Sequence, residues 1–437
     1  MLSNNDLCLA SLGIFLRFAI AYIFPSLVAN LSNRFEFVTA FDAFNHSKEF
    51  AHLFLGRSNE KAITSSSRVS PFVGLLFAPF YDSDNVLVSI VPCAIVDLMT
   101  AIVLSQLYER GVMIRNAKED EEQQQKKQQK TNTTTSIVGL YMLNPIIILA
   151  CLSRTTKSVQ FLLTSLVFHA ALDVERNKRS PTMTGGALAM LSLVHLPSAV
   201  AIFPGLLVHF WSVHESEFGI SGRKLTLHLL LQYMCALGTF VNVADIYVVP
   251  NDELKEWLRV SIFDRYAGKE LQPNVGLHWY VYSLMWKRFL TWYCIAFQGC
   301  GIVCSLAIAV RFVRSQSPLF SACVGLLCST ALASHPTLGE LVFTTILILT
   351  HGTSTRVLER SEAIAIVANG TMITLAILCL SFVTLRAWLE TRTGNPNYFF
   401  AVTLMYAVGQ VYVTHESLTF ALSKKKKEKK VTTAKEE

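Results

Sequence analysis

The sequence predicts an all-α protein that crosses a membrane many times. Hydrophobic residues make up 52% of its 437 positions and charged residues only 16%, against about 25% charged in an average soluble domain. Mean hydropathy is +0.41, so polar side chains are too few to cover a soluble globule of this size. Apolar runs of about 15–25 residues recur along the chain, and a helix of this length spans a bilayer.

Ten apolar runs predict helices in the membrane, and an eleventh region, 185–211, is too long for one simple span. The ten runs are 7–29, 86–108, 137–152, 159–174, 225–249, 289–312, 319–333, 341–351, 363–388 and 398–422. Pro197 and Pro204 interrupt the eleventh region, and proline breaks or kinks a helix. Two short helices in a hairpin there would raise the total to about twelve. We therefore predict about 10–12 transmembrane helices in one membrane domain, residues 1–423.

Lysine and arginine in the short loops set the expected orientation, because cytosolic loops carry an excess of both. They cluster in segment 109–136 and in the tail 424–437. Segment 109–136 is also largely of low complexity and polar, which predicts a disordered cytosolic loop. Placing both clusters in the cytosol puts both termini there and puts regions 30–85 and 250–288 in the lumen.

Two charges lie in the middle of predicted spans, Arg17 in the first and Asp97 in the second. A charge inside lipid is costly and needs a partner or a wet cavity. The sequence leaves two interpretations open, a structural ion pair that fixes helix order or a polar rim for a lipid head group. Asp245 and Glu340 lie nearer the ends of their runs, so we expect them to reach the interface.

The sequence contains no strong catalytic or metal-binding pattern. The ten cysteines lie without metal-ligand spacing, and His209 and His214 flank a tryptophan at a predicted membrane edge and form no metal-ligand pattern with another His or Cys. We therefore predict no catalytic residue, no metal and no cofactor. The one enzyme-like signal is Asp82-Ser83-Asp84, a pattern that some sugar transferases use, although an aspartate before a span is also an ordinary helix cap. The net charge of +7 lies mostly in loops and tail and does not indicate nucleic-acid binding.

Six segments, in order along the chain, together resemble one membrane-protein family. They are SPFVGLLF (70–77), IVDLMTAIVL (95–104), YMLNPIIILACLSRTT (141–156), LQPNVGLHWYVYSLMWKRF (271–289), HPTLGEL (335–341) and NPNYFFAVTLMYAVGQV (395–411). Each resembles a segment of the PIG-U family, the U subunit of glycosylphosphatidylinositol (GPI) transamidase. The low-complexity loop and the lysine-rich tail depart from the family pattern, which indicates a divergent member.

The resemblance implies a fold with a membrane topology like that of the glycosyltransferase-C enzymes. It also implies a non-catalytic, multi-pass subunit in the endoplasmic reticulum membrane. Its expected partners are the GPI lipid, the membrane and the other transamidase subunits, including a caspase-like catalytic subunit. The subunit would help recognise GPI for attachment to the C-terminus of substrate proteins. Two alternatives stay open, a lumenal dolichol-phosphate-dependent GPI mannosyltransferase and a transporter or lipid carrier.

Three clusters at predicted lumenal edges combine turn-forming Asn or Pro with aromatic rings, and we expect them to contact the lipid. Their residues are Pro273, Asn274, His278, Trp279 and Tyr280; Asn144; and Asn397, Tyr398 and Phe399. Asparagine donates and accepts hydrogen bonds that suit sugars and phosphates, and rings offer faces for acyl chains or sugars. The alternative is an ordinary aromatic belt at the membrane interface.

The orientation can be tested with epitope tags in sealed microsomes. We expect protease to remove a tag placed in segment 119–135 or at the C-terminus, because both lie beside basic clusters. A tag inserted beside Asn45 should be protected. A protected C-terminal tag would contradict the predicted topology.

Overall fold

The computed structural model describes residues 3–39, 41–55, 70–81, 85–118, 136–177, 180–213, 222–247, 272–313, 317–391 and 395–436. Within these ranges the chain forms sixteen α-helices and one π-helix, and no β-strand. The helices are α1 (Asn4–Ile23), α2 (Pro25–Leu31), α3 (Phe44–Leu55), α4 (Pro71–Tyr81), α5 (Val86–Lys118), α6 (Ile137–Met142), α7 (Pro145–Leu152), α8 (Lys157–Asn177), α9 (Thr182–Val213), α10 (Gly222–Tyr247), α11 (His278–Leu284), α12 (Lys287–Phe312), α13 (Phe320–Ala331), α14 (Leu338–Ser354), α15 (Arg360–Leu385) and α16 (Asn397–Glu436). The π-helix, Arg386–Glu390, extends α15.

The predicted all-α, multi-pass class is confirmed. In the described part of the chain, α1, α5, α9, α10, α12 and α15 with its π-helix are long and apolar enough to cross a membrane. The prediction of about 10–12 spans also counted shorter runs. One of these, 137–152, is divided into α6 and α7, helices of six and eight residues.

Helix α14 lies at the centre of the bundle and is buried along nearly its whole length. It packs against α5, α7, α13 and α15. Helices α10 and α12 lie further out, and their exposed side chains include Leu231, Met234 and Trp292. Apolar side chains on such an outer surface are what a lipid environment favours, so the apolar side chains divide between a packed centre and a lipid-facing surface.

The proline-containing region 185–211 forms two helical segments that meet at a kink and are described together as α9. Helical geometry fails at His195 (φ −150°, ψ 83°) and resumes after it. Pro197 follows two positions later, and a proline lacks the N–H that would continue the helical ladder. A kink frees backbone groups, which membrane proteins tolerate where protein or a cavity satisfies them.

Backbone groups freed at the break between α6 and α7 form hydrogen bonds with buried side chains. Asn144 caps α7 by accepting a hydrogen bond from Ile146 N at 3.0 Å, and Pro145 occupies the first helical position. The carbonyl of Met142 at the end of α6 accepts from Arg17 Nη1 at 2.8 Å. Arg17 is fully buried and its Nη2 lies 2.9 Å from Asp97 Oδ2. The two charges that lie in the middle of predicted spans are therefore in contact, and Arg17 also joins α1 to the broken segment.

Two predicted segment boundaries differ from the helix ends. Helix α5 continues to Lys118, so residues 109–118 are helical where a disordered loop was predicted. Helix α16 continues to Glu436, through the segment expected to form a basic tail. Most of the predicted cytosolic loop, residues 119–135, lies outside the described residues.

Replacing Arg17 or Asp97 by Leu should destabilise the protein, because each change leaves an unpaired buried charge. Insertion scales place the cost at about 2.5–3.5 kcal/mol. The double replacement should recover part of the loss, but not all of it, since the Met142 carbonyl stays without its donor. The measurements are protein level and melting temperature in detergent. Losses that simply add would show that the two side chains are not coupled.

Candidate functional site

Two of the three predicted lipid-binding clusters come together in the fold. Tyr280 OH donates to Asn397 Oδ1 at 2.7 Å, and the Trp279 ring lies 5.7 Å from the Phe399 ring between centroids. The resulting aromatic platform consists of Phe35, Trp279, Tyr280, Trp388, Phe399 and Phe400. The C-terminal helix and the segment before α12 thus meet at one surface.

The platform has a buried base and an exposed rim. Trp279 and Phe399 are buried, so their rings support the surface rather than form it. Tyr280 is partly buried, Asn397 is exposed and Tyr398 is 62% exposed. These last three side chains are the ones placed to contact a ligand.

Asn274 shapes the turn that carries the platform. Its Oδ1 accepts from Gly276 N at 2.7 Å, which is the Asx turn that asparagine favours. A Cβ on Gly276 would lie only 2.6 Å from Pro336 Cδ, so the turn packs directly on segment 335–341. Pro273 is partly buried beside this turn. His278 is buried, with its ring stacked against that of Phe297 at 4.7 Å.

Asn144 has a different role from the other predicted lipid contacts. It caps α7 and donates from Nδ2 to Thr371 Oγ1 on α15 at 3.3 Å. Its side chain therefore serves the helix break and the contact with α15.

A cavity of about 330 Å³ lies next to segment 335–341. The residues that line it are Thr39, Phe41, Asp42, Lys157, His195, Leu196, Pro197, Val200, Gln298, Ile302, Ser329, Leu332, Ala333, Ser334 and His335. The lining combines charged, polar and apolar side chains, and the kink of α9 at His195 forms part of it. Its size is at the lower end of the range for small-molecule sites.

A cluster of buried charges surrounds Lys157 at the cavity. Its Nζ lies 2.8 Å from Glu340 Oε1, 3.6 Å from Asp42 Oδ2 and 3.1 Å from His195 Nε2. Fewer than one tenth of each of these four residues is exposed. No motif in the sequence identifies Lys157, Asp42 or His195 as site residues. The signals that could have found them are a lysine at the start of an apolar run and a histidine two positions before a proline.

Glu340 is buried in the protein, and its place at the membrane interface stays a prediction. Its Oε2 accepts from Thr337 N at 2.8 Å and completes a capping box at the start of α14. Its Oε1 accepts from Lys157 and, at 3.0 Å, from Gln160 Nε2.

Segments 34–42 and 335–341 connect the platform to the cavity. Phe35 packs edge-on against Phe399 of the platform, and Phe41 packs edge-on against His335 at the cavity. Between them, Leu338 N donates to the carbonyl of Glu36 at 2.9 Å. The platform and the cavity are therefore parts of one continuous structure.

Arg154 links the turn between α7 and α8 to α3, to α5 and to the C-terminal end of α2. Its guanidinium lies 3.5 Å from the centroid of the Phe44 ring and donates to Ser89 Oγ and Ser32 Oγ. Its backbone is left-handed, with φ of 57°, a conformation that is rare for residues other than glycine. This turn fixes the backbone three positions before Lys157.

The remaining candidates from the sequence fall outside this site. Asp82, Asp84 and His214 lie outside the described residues, and so does the side chain of Asp245. His209 has a carboxylate close by, with Nε2 3.9 Å from Glu175 Oε2, which its sequence neighbours did not suggest. Among the described residues, no group of three His, Cys, Asp or Glu side chains could hold a metal ion.

Comparisons with known proteins agree on one family. A family model described as GPI transamidase subunit PIG-U matches residues 11–406. The chain is 21% identical over 290 residues to the mouse protein named GPI-anchor transamidase component PIGU, covering 63% of this chain and 60% of that protein. It is 21% identical over 393 residues to the Saccharomyces cerevisiae protein named GPI transamidase component GAB1, covering 90% and 88%. The match to the human PIGU component spans only 59% of that protein's length.

Replacing Lys157 by Met should destabilise the protein strongly. The change leaves Glu340 and Asp42 buried without their common cation, and removing one partner of a buried pair costs about 3–5 kcal/mol. Replacing Glu340 by Gln as well should restore part of the loss. The control is Lys287→Met at an exposed lysine, which should leave the melting temperature in detergent nearly unchanged. Equal effects of the two lysine changes would contradict the assigned pairing.

Proposed function

The chain belongs to the PIG-U family of GPI transamidase subunits, and from this premise we propose that it is a non-catalytic subunit that helps recognise the GPI lipid. In this role it presents the lipid to a separate catalytic subunit in the endoplasmic reticulum membrane. Both termini face the cytosol, and the platform faces the lumen. This orientation matches the lipid, whose acyl chains stay in the membrane while its glycan extends into the lumen.

The observation that carries the proposal is a cavity of mixed polarity that lies next to three of the family-like segments. His335 of segment 335–341 lines the cavity, the lining residue Lys157 directly follows segment 141–156, and segment 271–289 packs on Pro336. Ile302, in the cavity lining, is 43% exposed, and it lies on α12, whose exposed side chains include the apolar Trp292. A ligand with both apolar and polar parts suits such a lining.

The exposed rim of the platform supplies a second contact surface. Tyr280, Asn397 and Tyr398 present a phenol, an amide and an aromatic face side by side. Hydroxyl and amide groups both donate and accept, as sugar hydroxyls do. The rings give flat apolar faces. We assign this rim to the glycan and the cavity to a part of the lipid nearer the membrane.

The charged groups at the cavity suit binding better than proton transfer. Glu340 accepts hydrogen bonds on both carboxylate oxygens, and Lys157 Nζ has three partners. Groups held this way keep a fixed geometry. This arrangement supports a recognition role, with the chemistry of attachment carried out by another subunit.

Asn397→Ala and Tyr398→Ala should lower GPI attachment while the complex still assembles. Both side chains are exposed, and the loss of one hydrogen bond, about 0.5–1.5 kcal/mol, weakens binding by about two- to tenfold. Attachment is measured as surface display of a GPI-anchored reporter, and assembly by co-purification. The control is Tyr22→Ala on α1, which is 75% exposed and outside the platform. Normal display in both rim variants would argue against a glycan contact at the rim.

Val200→Trp should reduce attachment by filling the cavity. Val200 is only partly buried, so the larger ring can enter the open volume without forcing apart a packed core. The matched control is Leu231→Trp on α10, where the side chain is 59% exposed and does not line the cavity. Reporter display and co-purification are measured as above. If Val200→Trp assembles and displays the reporter normally, the cavity has no part in lipid recognition.

A further inference from the structure

We propose that Asn45 carries an N-linked glycan. The chain contains four acceptor patterns of the form Asn-X-Ser/Thr, which begin at Asn30, Asn45, Asn132 and Asn369. The pattern is what the transferase reads, but it does not decide by itself which asparagine is used. The inference rests on the predicted orientation, which places region 30–85 in the lumen, and it does not depend on lipid recognition.

Asn45 lies on an exposed polar edge of α3. Its side chain and that of Glu49, one helical turn later, are exposed, whereas Phe44 and Phe50 of the same helix are buried. An exposed charge is costly in lipid and favourable in water. This edge of α3 therefore faces an aqueous phase, and the predicted orientation identifies that phase as the lumen.

The hydroxyl of Ser47, the third residue of the pattern, contributes no hydrogen bond to the folded protein. Ser47 is 1% exposed, and its Oγ has no hydrogen-bond partner in the described part of the chain. A buried polar group without a partner costs about 1–3 kcal/mol, so this hydroxyl does not stabilise α3. Its position, two residues after Asn45, is the one that an acceptor pattern requires. A role before folding accounts for a hydroxyl that the folded protein does not use.

The pattern at Asn30 differs in its hydroxyl and in its distance from the membrane. Ser32 Oγ donates to the carbonyl of Ala29 at 2.8 Å and accepts from Arg154 Nη2 at 3.1 Å, so its presence is explained by structure alone. Asn30 also lies in α2, which follows the candidate membrane helix α1 directly. This acceptor therefore stays close to the membrane surface, where a lumenal transferase reaches it poorly.

The other two patterns lie where a lumenal transferase does not act. Asn369 lies on α15, which is long and apolar enough to cross a membrane, and its Nδ2 donates to Glu416 at 3.0 Å. Thr371 of this pattern accepts from Asn144 at 3.3 Å, which gives it a structural role. Asn132 lies outside the described residues, in the predicted cytosolic loop. Asn45 is therefore the acceptor that the observations favour.

The modification is a group transfer onto Asn45 Nδ2. The donor is an oligosaccharide attached to a polyprenyl diphosphate. A bond forms between Nδ2 and the anomeric carbon of the first sugar, the bond from that carbon to the diphosphate oxygen breaks, Nδ2 releases one proton, and the lipid diphosphate leaves. One N–H remains on Nδ2 for the 3.1 Å hydrogen bond to Asn33 Oδ1. Transfer precedes the folding of α3, because Ser47 is inaccessible afterwards.

A glycan at Asn45 would also report which side of the membrane the cavity faces. Asn45 lies three positions after Asp42, which lines the cavity. Transfer takes place only in the lumen, so a glycan here would place this end of the cavity on the lumenal side.

The test uses the full chain inserted into microsomes that transfer N-glycans, with gel mobility measured before and after peptide-N-glycosidase F. We expect the enzyme to increase the mobility of the wild-type protein by one discrete step. Asn45→Gln and Ser47→Ala should migrate at the faster position and should not respond to the enzyme. Ser47→Thr should keep the step, because threonine also completes the pattern. The matched control is Asn30→Gln, an exposed asparagine of another pattern, which should keep the step as well.

Peptide mass spectrometry supplies a readout that needs no variant. The enzyme leaves an aspartate where it removes a glycan, so the treated wild-type protein should contain aspartate at position 45 and unchanged asparagine at Asn30 and Asn369. This measurement keeps the test decisive if a variant does not fold.

A wild-type protein that does not respond to the enzyme would overturn the inference, and so would a retained step in Asn45→Gln. The protease test of a tag beside Asn45 separates the causes of such a failure. A protected tag without a glycan leaves the orientation standing and removes only the modification, whereas an accessible tag removes both. Neither result depends on GPI attachment, so the rim and cavity variants decide the proposed function separately.

Discussion

The contact between Lys157 and Glu340 is the interaction on which the site depends. The two residues are 183 positions apart in the chain and meet at 2.8 Å. Each lies in the first turn of its own helix, α8 or α14, and each would be a costly isolated charge without the other. Their pairing therefore holds the turn at 153–156 against segment 335–341. His195 at the kink of α9 contacts the same ammonium, so three elements are fixed around one nitrogen, and the cavity lies beside it.

The need of a buried polar group for a partner also explains how the broken helices are stabilised. A backbone interrupted inside a membrane protein needs partners from the protein itself, and here the partners are buried side chains. Arg17 donates to the free carbonyl of Met142, and Asn144 accepts from the N–H of Ile146. Such breaks let α6 and α7 occupy the interior as short segments, packed on α1, α5 and α14. The interior around α14 is consequently irregular.

The sequence predicted features that depend on composition or on local pattern. Few charges and long apolar runs indicated a membrane bundle, and two opposite charges in mid-run, Arg17 and Asp97, indicated a pair. The sequence placed Tyr280 and Asn397 in two similar clusters at predicted lumenal edges. It did not predict that the two side chains contact each other. The sequence did not indicate the cluster of Lys157, Asp42 and His195. These residues lie at the start of an apolar run, in a loop and at a kink, and only tertiary packing brings them together. The position of Glu340 near the end of an apolar run predicted a place at the membrane interface, but it did not predict the ion pair with Lys157 inside the protein.

The buried rings of the platform hold in place the segment that lines the cavity. Trp279 and Phe399 pack with Phe35, and Phe35 begins the segment whose later residues, Phe41 and Asp42, line the cavity. Glu36 between them is fully buried, pairs with Arg34 at 2.6 Å and binds segment 335–341 through its carbonyl. The segment is thus fixed at both ends and in the middle. A ligand that contacts both the rim and the cavity would bind two surfaces whose relative position is already fixed. The protein would therefore lose little conformational entropy when the second contact forms.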